Sequence, residues 1–281
     1  MPVFDTPEPI ALQIDLAIGD AWITATDRTD TVVEVRPRKA SSQADVNAAD
    51  QTTVEYTAGR LMIRAPKSWR RFVSGGGPSI DIVIEVPSGS TVEAEASWAS
   101  FRSEGRLGEC RFKTGSSVRL DQTGPLEIDS SYGEIVVERA AGPVRVTTSS
   151  GNVRLGEIDG PVEIKNSSGA SWIRQSAGDV RVKTAYGDVI VDRALGSATV
   201  TSTHGGVRIG EVVRGSVDVR TSYGAVEVGV RRGTAAWLEL STRHGRVHNA
   251  LETTEGPGED DDTVEIRANT NHGDITVRRA A

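Results

Sequence analysis

The sequence predicts an all-β chain wound as a parallel β-solenoid, a β-helix-like stack of coils of about 18 residues with two short strands each. Three observations carry the prediction. Glycine recurs every 18 residues at Gly115, Gly133, Gly151, Gly169, Gly187 and Gly205, and the interval then stretches to reach Gly224, Gly245 and Gly273. A second series, Gly124, Gly142, Gly160, Gly178, Gly196 and Gly215, runs nine residues out of phase. Between the glycines, apolar and polar residues alternate with the period of a strand, and no stretch carries the 3.6-residue period of a helix.

In chain order, residues 1–90 read as an irregular β region that caps or begins the stack. Its strands are Ile10–Ile18, Ala21–Thr26, Thr31–Arg36, Thr53–Tyr56, Leu61–Arg64 and Ile80–Val86. Ala40–Gln51, rich in Ala, Ser and Asp, reads as a loop or one short helix. Arg71–Ser79, with Gly75–Gly77 followed by Pro78, reads as a loop. A stack needs such a cap, because a bare end strand exposes unpaired backbone groups.

Residues 91–281 form the repeat. One half-coil is Gly-x-Val-x-Ile with a variable tail, as in Gly151–Leu155, and the other is Gly-Pro-Val-x-Val-x-Thr-x-Ser, as in Gly142–Ser150. The alternation turns Val144/Val146, Val162/Ile164, Val180/Val182, Ala198/Val200 and Val217/Val219 inward on one side. On the other it turns in Ile135/Val137, Val153/Leu155, Val189/Val191, Val207/Ile209, Val226/Val228 and Ile275/Val277. Each coil climbs by one strand spacing, about 4.8 Å, so successive strands pair in parallel. The register carries one extra residue near Gly115. Insertions follow at Ala235–Trp237 and at 253–262, the second an exposed loop ending in the acidic run Glu259–Asp262.

Composition excludes several function classes. A hydrophobic fraction of 37% with 5% aromatics suits a narrow core of Val, Ile and Leu. A net charge of −7 is wrong for nucleic acid, which needs clustered cations. The strongest basic cluster, Lys67, Arg70 and Arg71 around Trp69, reads as a solvated loop. The single cysteine, Cys110, rules out an internal disulfide framework. No apolar window is long enough for a membrane-spanning helix. The N-terminal segment has neither the basic nor the apolar region of a signal peptide, so a cytoplasmic placement is expected. No Gly-x-Ser-x-Gly elbow, phosphate loop or His-Glu-x-x-His occurs, and no coil gathers paired acids. The expectation is a non-enzyme without cofactor, catalytic residue or metal.

In a solenoid, residues one period apart form columns. Three residues before the repeat glycine stand Ser130, Thr148, Asn166, Thr184, Ser202, Thr221, Thr242 and Thr270, read as polar groups bonding along the stack. Directly before the glycine stand Tyr132, Ser150, Ser168, Tyr186, His204, Tyr223, His244 and His272, a column that holds three of the four histidines. It reads as a ladder of rings filling a corner, or as an aromatic groove. No carboxylate or cysteine completes a zinc set around His244, His248 and His272. The residue after the glycine is not regularly acidic, so calcium is not implied. One outward column alternates in charge (Arg145, Glu163, Arg181), and the other brings Trp172 beside Ile190. The candidate interaction surface is therefore Trp172, Ile190, Tyr186, His204, Tyr223 and His244.

The repeat Ser-x-Tyr-Gly-x-Val-x-Val at Ser130–Val137 and its counterpart Thr221–Val228 resemble the bacterial DUF4097 proteins, a family of adhesin-like β-strand-repeat proteins. The entry strands Ile18–Ile23, Val33–Arg36 and Ile82–Pro87 are similar as well. The resemblance covers nearly the whole chain and implies a β-helical fold of undefined role. The expected function is a scaffold that binds another protein. The alternatives are a structural element that assembles with itself and an adhesin-like or glycan-binding protein.

Overall fold

The computed structural model describes residues 1–66, 77–252 and 262–280. The expected loops at 71–79 and 253–262 fall largely outside these residues, and the basic cluster around Trp69 falls wholly outside them. The chain divides into two compact units, Met1–Ala141 and Gly142–Ala281.

The first unit contains β1 (Val3–Asp5), β2 (Ala11–Thr26), β3 (Asp30–Pro37), α1 (Gln43–Gln51), β4 (Thr53–Thr57), β5 (Arg60–Arg64) and β6 (Ile80–Pro87). It continues with β7 (Thr91–Arg106), β8 (Cys110–Thr114), β9 (Val118–Thr123), β10 (Leu126–Tyr132) and β11 (Ile135–Ala140). The expected strands Ile10–Ile18 and Ala21–Thr26 are one continuous strand, β2, which pairs with β7 on both sides of Gly19. β2 lies parallel to β7 along its whole length, and β7 is followed by β8 with β10 on one sheet and β9 with β11 on the other. On its other side β2 pairs in parallel with β5 and β6. There the parallel pattern stops. β4 closes on β5, and β3 on β6 with β1 beyond it, all antiparallel. Short antiparallel strands therefore finish both sheets, one of the ways natural sheets blunt an edge. The Ala40–Gln51 stretch resolves into a loop and the helix α1, whose cap Ser42 accepts a hydrogen bond from the Asp45 amide at 3.3 Å.

The second unit holds β12 (Val144–Ser150), β13 (Val153–Ile158), β14 (Val162–Ser168), β15 (Ser171–Ser176), β16 (Val180–Tyr186), β17 (Val189–Ala194) and β18 (Ala198–His204). It ends with β19 (Val207–Val212), β20 (Gly215–Tyr223), β21 (Val226–Val230), β22 (Ala235–His244), β23 (Val247–Asn249), β24 (Thr263–His272) and β25 (Ile275–Arg279). Even-numbered strands stack in parallel on one sheet and odd-numbered strands on the other, in the expected 18-residue register, Val144 opposite Val162 and Val162 opposite Val180. All the residues read as inward-facing are buried, with Ile164, Val189, Val191, Val200, Ile209, Val219 and Val228 fully enclosed.

The order of the last coils differs from chain order. β20 pairs with β24 rather than with β22, and β24 then pairs with β22. β25 likewise lies between β21 and β23. The chain thus skips one level, makes the terminal coil, and returns to fill the gap.

The polar column behaves differently from a simple hydroxyl ladder. Its members are buried except at the terminal coil, and those that bond reach for a glycine or loop carbonyl rather than for each other. Asn166 Nδ2 donates to the Gly151 and Gly169 carbonyls, both at 3.0 Å, and Thr270 Oγ1 to the Gly224 carbonyl at 3.1 Å. Thr148, Thr184 and Ser202 find no partner.

Candidate interaction surface

The corner glycines create the surface. Gly187, Gly205, Gly224 and Gly273 have φ of +134°, +140°, +158° and +142°, where a side chain is strained. They also pack backbone on backbone. A Cβ on Gly205 would lie 2.2 Å from the Gly187 carbonyl oxygen, and one on Gly224 2.0 Å from that of Gly205. Adjacent coils are therefore held at strand spacing at the corner itself, and the residue before each glycine is carried outward in register with its neighbours.

The outcome is a stack of five rings in water. Tyr186 and His204 have centroids 5.0 Å apart, His204 and Tyr223 4.9 Å, Tyr223 and His272 4.6 Å, and His272 and His244 4.6 Å. The planes diverge by only 8–23°. Tyr186 is 58% and Tyr223 49% exposed, so the rings do not fill a corner of the core. Their faces cover one another and their edges meet solvent, which presents a comb of phenol hydroxyls and imidazole nitrogens at the strand repeat. Ser168 stands opposite Tyr186 in the next coil and carries no ring, so the stack ends there. His272, absent from the candidate set, is the ring that joins Tyr223 to His244.

The first unit has a second ring pair, Trp98 on Tyr132, with centroids 5.7 Å apart and planes 11° from parallel. Sequence reading missed Trp98 because the coils here are irregular. Ser130 pairs with Thr114, sixteen residues back, and Gly115 lies against Ser97 and the Trp98 ring, so a count of 18 residues back from Tyr132 does not reach Trp98. Gly115 keeps the space open, since a Cβ there would lie 3.3 Å from the Trp98 ring.

Trp172 and Ile190 are register partners on β15 and β17, as expected, and lie on a strand face away from the ring stack. Trp172 is 38% exposed, Ile190 is half-buried, and the indole Nε1 donates to Asp192 Oδ2 at 2.8 Å. Arg154 and Arg208 flank the pair above and below. The outward columns elsewhere carry cross-coil ion pairs such as Arg145–Glu163 at 3.1 Å and Arg193–Glu211 at 3.2 Å. Lys165, with Arg145, holds the Glu163 carboxyl below the ordinary carboxylate range. Being exposed, such pairs are screened by water and add little to stability. Among the described residues, no three His, Cys, Asp or Glu side chains gather as a metal set, and no helix is long and apolar enough to cross a membrane.

No curated protein matches this sequence. Several solved structures are similar at low identity. A candidate adhesin from Parabacteroides merdae shares 13% identity over 81% of this chain and 94% of its own, with a TM-score of 0.48. A candidate lipid binding protein from Parabacteroides distasonis shares 12% over 98% and 95%, with a TM-score of 0.40. A candidate adhesin from Bacteroides fragilis shares 13% over 98% and 95%, with a TM-score of 0.30. Likeness at this level carries no argument about function. The family profile is decisive: the Toastrack DUF4097 family matches residues 11–278, and the chain belongs to it.

Proposed function

We propose that this protein is a non-enzymatic scaffold that binds another protein through the second unit, at the ring stack and at the Trp172–Ile190 patch. The observation that carries the proposal is the exposed stack from Tyr186 to His244. Rings held rigidly in water cost hydrophobic free energy, and an interface that buries them recovers it. Tyrosine and tryptophan also suit interfaces because they offer large contact area with few rotatable bonds. The polar edges at strand spacing fit an extended peptide segment or another strand edge better than a sugar, which would need open ring faces. Scattered acids and ion-paired outward columns support the reading as a binding module rather than an enzyme.

The test is capture of the tagged protein from its native cells, compared with the triple substitution Tyr186→Ala/His204→Ala/Tyr223→Ala and with Trp172→Ala/Ile190→Ala. The expected result is a stoichiometric protein partner with the wild type, lost or weakened about tenfold or more with at least one variant, while circular dichroism of both stays native. Normal binding by both variants would show that the named surfaces are wrong.

A further inference from the structure

The terminal coil differs from every other coil of the second unit. β22 pairs with β24 on one side, and among the described residues no strand pairs with its other side. The Ala235 amide donates to the Asp262 carbonyl at 2.8 Å on the β24 side. Backbone groups alternate along a strand, so Ala236, Leu238, Leu240 and Thr242 turn their N–H and C=O groups to the open side. The inward residues Ala236, Leu238 and Leu240 are only half-buried, whereas their counterparts Val264, Ile266 and Ala268 one coil in are enclosed. Trp237 is 75% exposed beside them. An edge this long, flat and apolar is a template for pairing, and the first unit shows how the same chain finishes a sheet when pairing is to be avoided.

The order of side chains along this edge says what fits it. We infer that β22 pairs antiparallel with β22 of a second copy of this chain about a two-fold axis at Ser241. In that register the open backbone groups of Leu240 meet those of Thr242 of the other protomer as hydrogen-bonded pairs, while the His244 carbonyl stays on the Gly273 amide of its own chain at 3.0 Å. Glu239 then stands opposite Arg243 in the closer, non-hydrogen-bonded sites, twice by symmetry. Glu239 already forms an ion pair with Arg267 at 3.3 Å, so the pairing extends an alternating-charge column across the interface. A shift by one pairing step sets Glu239 against Ser241 and loses both ion pairs. The interface is isologous, so it closes at two copies rather than growing into a filament.

Sedimentation velocity of the full chain from low to high micromolar concentration tests this. The expected species is a dimer. Arg243→Glu, which sets Glu against Glu twice, is expected to weaken it about tenfold or more, and the swap Glu239→Arg/Arg243→Glu to restore it. Both sites are exposed, so thermal melts of the variants should stay near wild type. A monomer throughout, a mass that keeps growing with concentration, or a dimer unmoved by Arg243→Glu would each overturn the pairing.

Discussion

The His204 and Tyr223 rings lie 4.9 Å apart and 8° from parallel although they sit on different coils, because the glycines after them pack backbone on backbone. The ring spacing is thus a property of Gly205 and Gly224 rather than of ring attraction. Gly205→Ala brings a methyl to 2.2 Å from the Gly187 carbonyl at φ +140°, and the expected loss is about 3 kcal/mol or more. Gly233→Ala, at φ +85° with nothing near the added methyl, should cost only about 1 kcal/mol. Denaturant melts of the two variants check the contrast, and equal losses would contradict it.

The polar column predicts opposite outcomes at neighbouring coils. Asn166 uses both ends of its amide, donating to two carbonyls at 3.0 Å and accepting from the Ser168 amide at 3.1 Å. Asn166→Ala leaves those groups unpaired in a buried place and should cost about 2–4 kcal/mol. Thr148 Oγ1 is buried without a partner, so Thr148→Val should be neutral or stabilising by up to about 1 kcal/mol. Chemical denaturation separates the two.

The β4–β5 hairpin carries a local misfit. Thr57 pairs with Arg60, so the turn is Ala58-Gly59, with φ of +49° and +76°. Both central residues need positive φ, which alanine resists and asparagine tolerates. Ala58→Asn should raise stability by about 0.5–1 kcal/mol, read as an upward shift in Tm.

Cys110 is buried in β8, and burial pushes its thiol up to about 12 from 9.0. The folded chain keeps a proton that the unfolded chain releases. The contribution to stability is therefore complete below about pH 9 and is lost as pH rises from there towards 12. Between pH 8 and pH 10.5 the wild type should lose about 2 kcal/mol more than Cys110→Ala. A thiol reagent at neutral pH should label the native chain only as it opens.

Much of the fold was legible because a solenoid repeats one local rule. Glycine at each corner and valine at each inward position gave the coils, the register and the core from Ile135 to Val277. The Trp98–Tyr132 pair was hidden because the coils around Gly115 are shorter. The exchange of β22 and β24 was hidden for a deeper reason. Leu238/Leu240 and Ile266/Ala268 are equally able to fill the next level, and no local preference decides which strand pairs with β20. Long-range packing makes that choice, and it places His272 rather than His244 against Tyr223. Whether the rings faced the core or water was also beyond the pattern, since the column shares the parity of the core valines but sits where each strand ends.

The most direct test of the scaffold reading is hydrogen–deuterium exchange on the protein with and without its captured partner. The reading predicts slowed exchange at the corners after Tyr186, His204 and Tyr223, or across Trp172–Ile190, with the rest of the second unit unchanged. Protection confined to other surfaces, or a wild-type chain that captures no partner at all, would contradict it.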